Sequence, residues 1–176
     1  MSINLCYTIS MNTLNKQDIR KFIQENKTLR KAKTPAELLV LATTMLYTKA
    51  GKISDAFFAS FGITVAQYNV LALLAEGDNN INQLTISQRM LVSPGNITRI
   101  LDKLVDAKLI KRAEDKQDRR HKCVSLTPKG KALYAKIKPF YDKYLQRLPS
   151  AICASEQERA AYTMVAWICS LDKFSL

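Results

Sequence analysis

The sequence predicts a mainly α-helical chain with one small β-hairpin, an α+β arrangement with long helices toward its ends. Three observations predict it. Helix-start chemistry recurs: Thr34, Ser93 and Thr127 each precede a proline, and Thr64 and Ser155 each open a hydroxyl-x-x-Glu/Gln pattern. A hydroxyl satisfies an unpaired backbone N–H at a helix start, and proline, which lacks that N–H, fits the first helical position. Apolar residues return every three or four positions except between Leu109 and Leu126, where strand-like runs flank a polar stretch. Finally, 5 glycines and 5 prolines are too few for a loop-rich all-β fold.

Taken in order, residues 1–33 form an N-terminal extension with a helix predicted over Asn15–Arg30, where Ile19, Phe22 and Ile23 share one side. Thr34-Pro35-Ala36-Glu37 opens the first long helix, spanning 34–62. Its stripe is Leu38, Leu39, Ala42, Met45, Leu46 and Ile53, and Gly62 closes it. Thr64 to Gln67 caps a helix over Val65–Ala75 that is apolar nearly all round and so predicted to be buried. Gly77-Asp78-Asn79-Asn80 reads as a turn. A short helix over Asn82–Met90 and another over Pro94–Ala107 follow. Leu109-Ile110-Lys111-Arg112 and Lys122-Cys123-Val124-Ser125-Leu126 are the hairpin strands, joined by the charged tip Glu114–Arg120. A helix over Pro128–Leu148 contains Pro139, which predicts a kink or split. The last helix is predicted over Glu156–Lys173, capped by Ser155. Two short helices leading into a β-hairpin constitute a winged helix-turn-helix, here over 63–127, with 128–176 as a C-terminal helical segment.

Charge narrows the function. The 27 Lys+Arg outnumber the 15 Asp+Glu, a formal net charge of +12, which suits a polyanionic partner. No apolar run approaches the ~20 residues of a spanning helix. The first ten residues lack the basic and apolar regions of a secretory signal, so a cytoplasmic protein is expected. Cys6, Cys123, Cys153 and Cys169 form no CxxC pair and His121 is the single histidine, so no metal site is expected. No cofactor is expected. There is no Gly-rich phosphate loop and no HExxH, and a lone histidine in a basic loop is a poor base for a nucleophile triad. These absences argue against an enzyme.

The helix after Ser93 carries the chemistry. At about 3.6 residues per turn, Ile97, Ile100, Leu101, Leu104 and Val105 share one face. Gly95, Arg99, Asp102, Lys103 and Asp106 share the other, with Asn96 and Thr98 at its margins. A helix that enters the major groove needs this division. Arginine can pair with guanine, asparagine with adenine, and threonine offers a hydroxyl or a methyl. The hairpin tip adds Lys116, Arg119, Arg120, His121 and Lys122, a set suited to the negative potential of a neighbouring minor groove. Asp118 is placed to brace Arg120. An RNA module would be expected to show exposed aromatics at the basic tip, which has none. A membrane-surface helix would lack Asp102 and Asp106. A winged fold used for protein interaction, or as a general nucleic-acid binder, is the remaining alternative.

At these residues the sequence resembles a known family. Ser87 to Arg99 reads Ser-Gln-Arg-Met-Leu-Val-Ser-Pro-Gly-Asn-Ile-Thr-Arg, followed by Leu101-Asp102-Lys103-Leu104 and Leu109-Ile110-Lys111-Arg112. Asp118-Arg119-Arg120 and Val124-Ser125-Leu126-Thr127-Pro128-Lys129-Gly130 complete a pattern similar to the MarR-type transcription regulators. The clear match runs from about Leu38 to Leu148, and residues before Thr34 match weakly. The resemblance implies a homodimer with interleaved terminal helices and two winged lobes spaced for a palindromic double-stranded DNA operator. It implies DNA contacts by Ser93, Gly95, Asn96, Thr98 and Arg99, with Lys103 on the same face. It also implies wing contacts by Arg119 and Arg120, braced by Asp118. Members usually repress transcription and are often released by a small ligand or an oxidant. A ligand cleft in this fold would draw on Met45, Tyr47, Phe57, Phe61 and Tyr68. Ile19, Phe22, Tyr144, Leu145, Tyr162, Val165 and Ile168 in the terminal helices need an apolar partner, either a second chain or each other.

The sequence departs from the family pattern in three places. Leu91 stands where many members have glycine in the turn between the short helices, which costs about 1–2 kcal/mol if that turn needs a positive φ. Val40 stands where the peroxide-sensing branch has cysteine. His121 alone does not match the metal-sensing branch.

Overall fold

The computed structural model describes residues 16–77, 80–114, 122–150 and 152–171. The elements are α1 (Lys16–Glu25), a 3-10 turn (Leu29–Lys31), α2 (Pro35–Ala59), α3 (Val65–Glu76), β1 (Ile81–Asn82), α4 (Gln83–Arg89) and α5 (Pro94–Asp106). They continue with β2 (Ile110–Glu114), β3 (Lys122–Leu126), α6 (Pro128–Arg147) and α7 (Ala154–Leu171). The chain forms two compact units. One is Ala42–Tyr141, and the other is built from Met1–Leu41 and Asp142–Leu176.

The unit Ala42–Tyr141 carries the winged helix-turn-helix. Its core gathers Val70, Leu71 and Leu74 of α3, Ile86 of α4, Ile97, Leu101 and Leu104 of α5, Ile110 and Val124 of the sheet, and Ile137 of α6. The helix predicted to be apolar all round does supply four buried residues, Tyr68, Val70, Leu71 and Leu74. Its cap is the predicted reciprocal pair: Thr64 Oγ1 accepts from the Gln67 N–H and Gln67 Oε1 from the Thr64 N–H.

The sheet has three antiparallel strands in the order β1-β3-β2, with Ile110 opposite Leu126 and Arg112 opposite Val124. The third strand is a correction, because the sequence reading assigns Ile81 to no element and places Asn82 at a helix start. Ile81 is buried and pairs with Val124, while Asn82 pairs with Cys123 and also caps α4, its Oδ1 accepting from the Thr85 N–H at 2.7 Å. A two-residue strand shows no alternation for sequence reading to detect.

Three helix ends close with the same pair of backbone bonds. After α2 the Gly62 N–H donates to the Ala59 carbonyl and the Ile63 N–H to Phe58. After α4 Leu91 donates to Gln88 and Val92 to Ser87. After α5 Lys108 donates to Val105 and Leu109 to Leu104. Such an ending requires one left-handed residue, and the three have φ of 73° at Gly62, 51° at Leu91 and 60° at Lys108. The helix-turn-helix thus keeps its positive-φ turn although leucine occupies it. Ser87, buried at 5% exposure, fixes the same turn by donating its hydroxyl to the Val92 carbonyl at 2.5 Å.

The junction between wing and α6 explains a sequence motif. Thr127 Oγ1 accepts from the Gly130 N–H at 3.0 Å, capping α6, and donates to the Lys108 carbonyl at 2.7 Å. Lys129 Nζ donates to the Ala107 carbonyl at 2.9 Å, at the end of α5. A Cβ on Gly130 would lie 2.0 Å from the Leu109 carbonyl oxygen, so no larger residue fits there without movement.

Other boundaries differ from expectation for local reasons. The first helix stops at Glu25, not Arg30, because Asn26 Oδ1 accepts from both the Thr28 and Leu29 N–H groups and turns the chain. α6 continues through Pro139 without splitting. The proline is on the exposed side while Tyr134 and Ile137 anchor the helix in the core. α7 begins at Ala154, because the Glu156 and Gln157 N–H groups both donate to the Cys153 carbonyl; Ser155 is inside the helix instead of capping it.

In the second unit, α7 leaves Tyr162, Val165, Ile168 and Leu171 more than half exposed at three-residue intervals. Among the described residues, no helix is long and apolar enough to cross a membrane.

Candidate nucleic-acid interface

α5 separates its two faces as the sequence requires. Ile97, Leu101 and Leu104 are buried completely. Ser93, Gly95, Asn96, Arg99 and Lys103 are exposed, and Thr98 is half-buried at the margin. These expected DNA-contacting residues therefore share the outward side of one helix held rigidly from behind. Ser93 occupies the N-cap position but makes no side-chain cap bond, which corrects the capping role expected of its hydroxyl. Its hydroxyl and the Gly95 N–H remain at the exposed helix start, where the helix dipole favours an anion such as phosphate.

Electrostatics on this face are sharper than the sequence implied. Asp102 would oppose a polyanion, but it accepts from Arg112 Nη1 of β2 at 2.6 Å. That ion pair ties α5 to the wing strand β2 and offsets the acid's charge. Arg112 Nε and Nη2 are buried and have no hydrogen-bond partner among the described residues.

A second polar link was not foreseen. Gln83, the first residue of α4, donates from Nε2 to Thr98 Oγ1 at 2.7 Å, and Thr98 Oγ1 donates to the Pro94 carbonyl at 2.9 Å. Fifteen residues separate the partners, and only the crossing of the two short helices brings them together. The one sequence signal available was a polar residue directly after the α4 cap.

The wing strands are in place beside α5, while Asp118, Arg119 and Arg120, with Lys116 and His121, lie outside the described residues.

Of the expected ligand-cleft residues, Phe57, Phe61 and Tyr68 belong to one aromatic cluster. Tyr68 is buried in the core, its ring 4.7 Å from Phe58 and 4.9 Å from Tyr141. Phe57 and Phe61 pack together at 5.4 Å and extend that cluster. Met45 is half-buried and Tyr47 is 81% exposed. Aromatic rings attract each other edge-on and by burial, and here they pack the end of α2 and the start of α3 against Tyr141 of α6. An open groove of about 360 Å³ lies between α3 and α4, lined by Asn69, Ala72, Leu73, Arg89 and Met90. At the far end of α3, Glu76 accepts from the Tyr134 hydroxyl and pairs with Lys138 Nζ at 3.3 Å. The Tyr134 hydroxyl, then Lys138, holds the Glu76 carboxyl below its usual range. This bracket fastens α3 to α6 within the lobe.

Comparison with known proteins places this geometry. The model of the MarR family (MarR_2) matches residues 61–121, which include the helix-turn-helix and the first wing strand, β2. The chain is 34% identical over 122 residues to the HTH-type transcriptional regulator PapX of Escherichia coli, covering 69% of this chain and 74% of PapX. The fold is similar to that in the crystal structure of the S. aureus MepR–DNA complex, with a TM-score of 0.70 and 25% identity, covering 74% of this chain and 95% of MepR. It is also similar to that of a cysteine-to-serine mutant of MarR from E. coli complexed with operator DNA, with a TM-score of 0.68 and 24% identity, covering 73% of this chain and 91% of that one.

Proposed function

The chain belongs to the MarR family of transcriptional regulators, and from that premise we propose that it is a homodimeric repressor that reads a palindromic operator in double-stranded DNA. It works in the cytoplasm, where that DNA is, and catalyses no reaction. One observation carries the reading: α5 buries Ile97, Leu101 and Leu104 completely while leaving Ser93, Gly95, Asn96, Arg99 and Lys103 exposed on its other side. The similar MepR structure, which holds DNA, supports placing that side against DNA.

In this reading Arg99 and Asn96 address base edges, Thr98 lies beside them, and Ser93, Gly95 and Lys103 hold the phosphates. Arg119 and Arg120, braced by Asp118, enter the adjacent minor groove. The exposed Tyr162, Val165 and Ile168 of α7 support a second copy as the partner that covers them. A small-molecule effector that releases the DNA completes the proposal.

The test is selection from a random duplex pool with purified protein at near-physiological salt, where non-specific phosphate binding is weakened. The proposal expects an enriched palindrome with half-sites about 10 bp apart, one helical turn. Salt-sensitive binding with no enrichment would reduce the protein to a general nucleic-acid binder. A monomer by sedimentation at micromolar concentration would remove the dimer.

A further inference from the structure

We infer that Thr98 reads DNA through its methyl group and not its hydroxyl, that the base it meets is thymine, and that Gln83 is the positioning residue that imposes this. The inference rests on the proposed reading of DNA by α5.

The argument is one of counting protons and lone pairs. A threonine hydroxyl has one proton and two lone pairs. In Thr98 the proton goes to the Pro94 carbonyl at 2.9 Å, and one lone pair receives Gln83 Nε2 at 2.7 Å. The hydroxyl therefore has no donor left for guanine N7 or O6, adenine N7 or thymine O4, all of which are acceptors. Only one lone pair remains, on an oxygen turned toward α4 and its own helix backbone. The other group on Cβ is the Cγ2 methyl, and it is what Thr98 has left to present.

The surroundings make that methyl reachable. Helical side chains lean toward the helix N-terminus, over the residue three or four positions earlier. For Thr98 those residues are Pro94 and Gly95. Thr98 is itself partly exposed, and a Cβ built on Gly95 would meet nothing within 4 Å, so the surface over the preceding turn is open. In the major groove the apolar feature of matching size is the C5-methyl of thymine.

Gln83 holds this rotamer because it is itself held. It follows Asn82, which pairs with Cys123 in the sheet and caps α4 through Thr85. The short β1 strand thus fixes the start of α4 and with it the backbone of Gln83, from which the amide reaches Thr98. If Gln83 is removed, the threonine loses this bond to α4 and can rotate its hydroxyl outward.

The experiment replaces thymines in the selected operator one at a time with deoxyuridine, which removes the methyl and leaves base pairing intact. The wild-type dimer is expected to bind about three- to fivefold more weakly when one particular thymine in each half-site is replaced, the effect of one lost methyl contact. Thr98→Ser, which keeps the hydroxyl bonds and lacks the methyl, should bind thymine and uracil equally at that position. Thr98→Val, which keeps the methyl, should retain the discrimination. Gln83→Ala should reduce the thymine-to-uracil ratio at that position, a readout that loss of stability alone would not move. An operator in which every thymine tolerates uracil overturns the inference. So does a Thr98→Ser protein that still discriminates, or a Gln83→Ala protein with the wild-type ratio. Selection that enriches no site at all refutes the sequence-reading function and the inference with it, so the two failures are distinguishable.

Discussion

Replacing Leu91 with glycine is expected to stabilise the protein, although it deletes a large apolar side chain. Leu91 has φ of 51° in the turn between α4 and α5, and it is 94% exposed. Its side chain therefore buries almost nothing, while its Cβ suffers the left-handed clash, which costs about 1–2 kcal/mol. Glycine removes the clash, and its greater freedom in the unfolded chain offsets about 0.5–1 kcal/mol of the gain. The turn's bonds, Leu91 N–H to Gln88 and Val92 N–H to Ser87, use backbone atoms alone and survive the change. The net expectation is about 0.5–1 kcal/mol, or about 1–4 °C in Tm for a chain of this size. The assay is thermal and urea unfolding followed by circular dichroism at one fixed protein concentration, since association shifts apparent stability. Leu91→Ala is the control, because it trims the side chain and keeps the Cβ; it should change little. If Leu91→Ala stabilises as much as Leu91→Gly, or if Leu91→Gly destabilises, the strain argument is refuted.

Gly130→Ala should destabilise by about 1–3 kcal/mol, the usual cost of overpacking, because the new Cβ would fall 2.0 Å from the Leu109 carbonyl oxygen; a urea midpoint equal to wild type would contradict the packing at the α6 start. Tyr134→Phe should flatten the acid side of the stability profile. The Glu76 carboxyl is held below its unfolded value by the Tyr134 hydroxyl and then Lys138. Its contribution is therefore present above the ordinary carboxylate value of about 4.3 and is lost as pH falls through the lower folded value. The wild-type advantage over Tyr134→Phe should shrink on acidification below that value, and a difference constant with pH would show that Glu76 plays no part.

Much of this fold could be read from its local chemistry. Thr64 with Gln67, Pro94 after Ser93 and Thr127 before Pro128 mark helix starts, because a cap is decided by residues within one turn of each other. The pattern Thr127-Pro128-Lys129-Gly130 was recognisable as a motif, and the structure supplies its reason: the threonine caps and braces, the lysine reaches a carbonyl, and the glycine makes room. The two faces of α5 were legible for the same reason, since helical periodicity alone separates Ile97 and Leu101 from Asn96 and Arg99.

What escaped sequence reading depends on tertiary placement. The two residues of β1 gain strand geometry only from pairing with β3. Asp102 could be placed on the outer face, but Arg112, ten residues on, neutralises it only because the wing strand folds back. The engagement of the Thr98 hydroxyl depends on how α4 crosses α5. Tyr68, Phe57 and Phe61 carry the same apolar signal whether they line a pocket or fill a core, and their mutual packing is set by how α2, α3 and α6 meet.

The central claim, that α5 reads bases, is tested most directly by running the duplex selection in parallel with wild type and Arg99→Ala. The account predicts a palindrome from the wild type, and from Arg99→Ala a weaker one that has lost preference at one or two positions in each half-site. The same motif, enriched equally by both proteins, would contradict it.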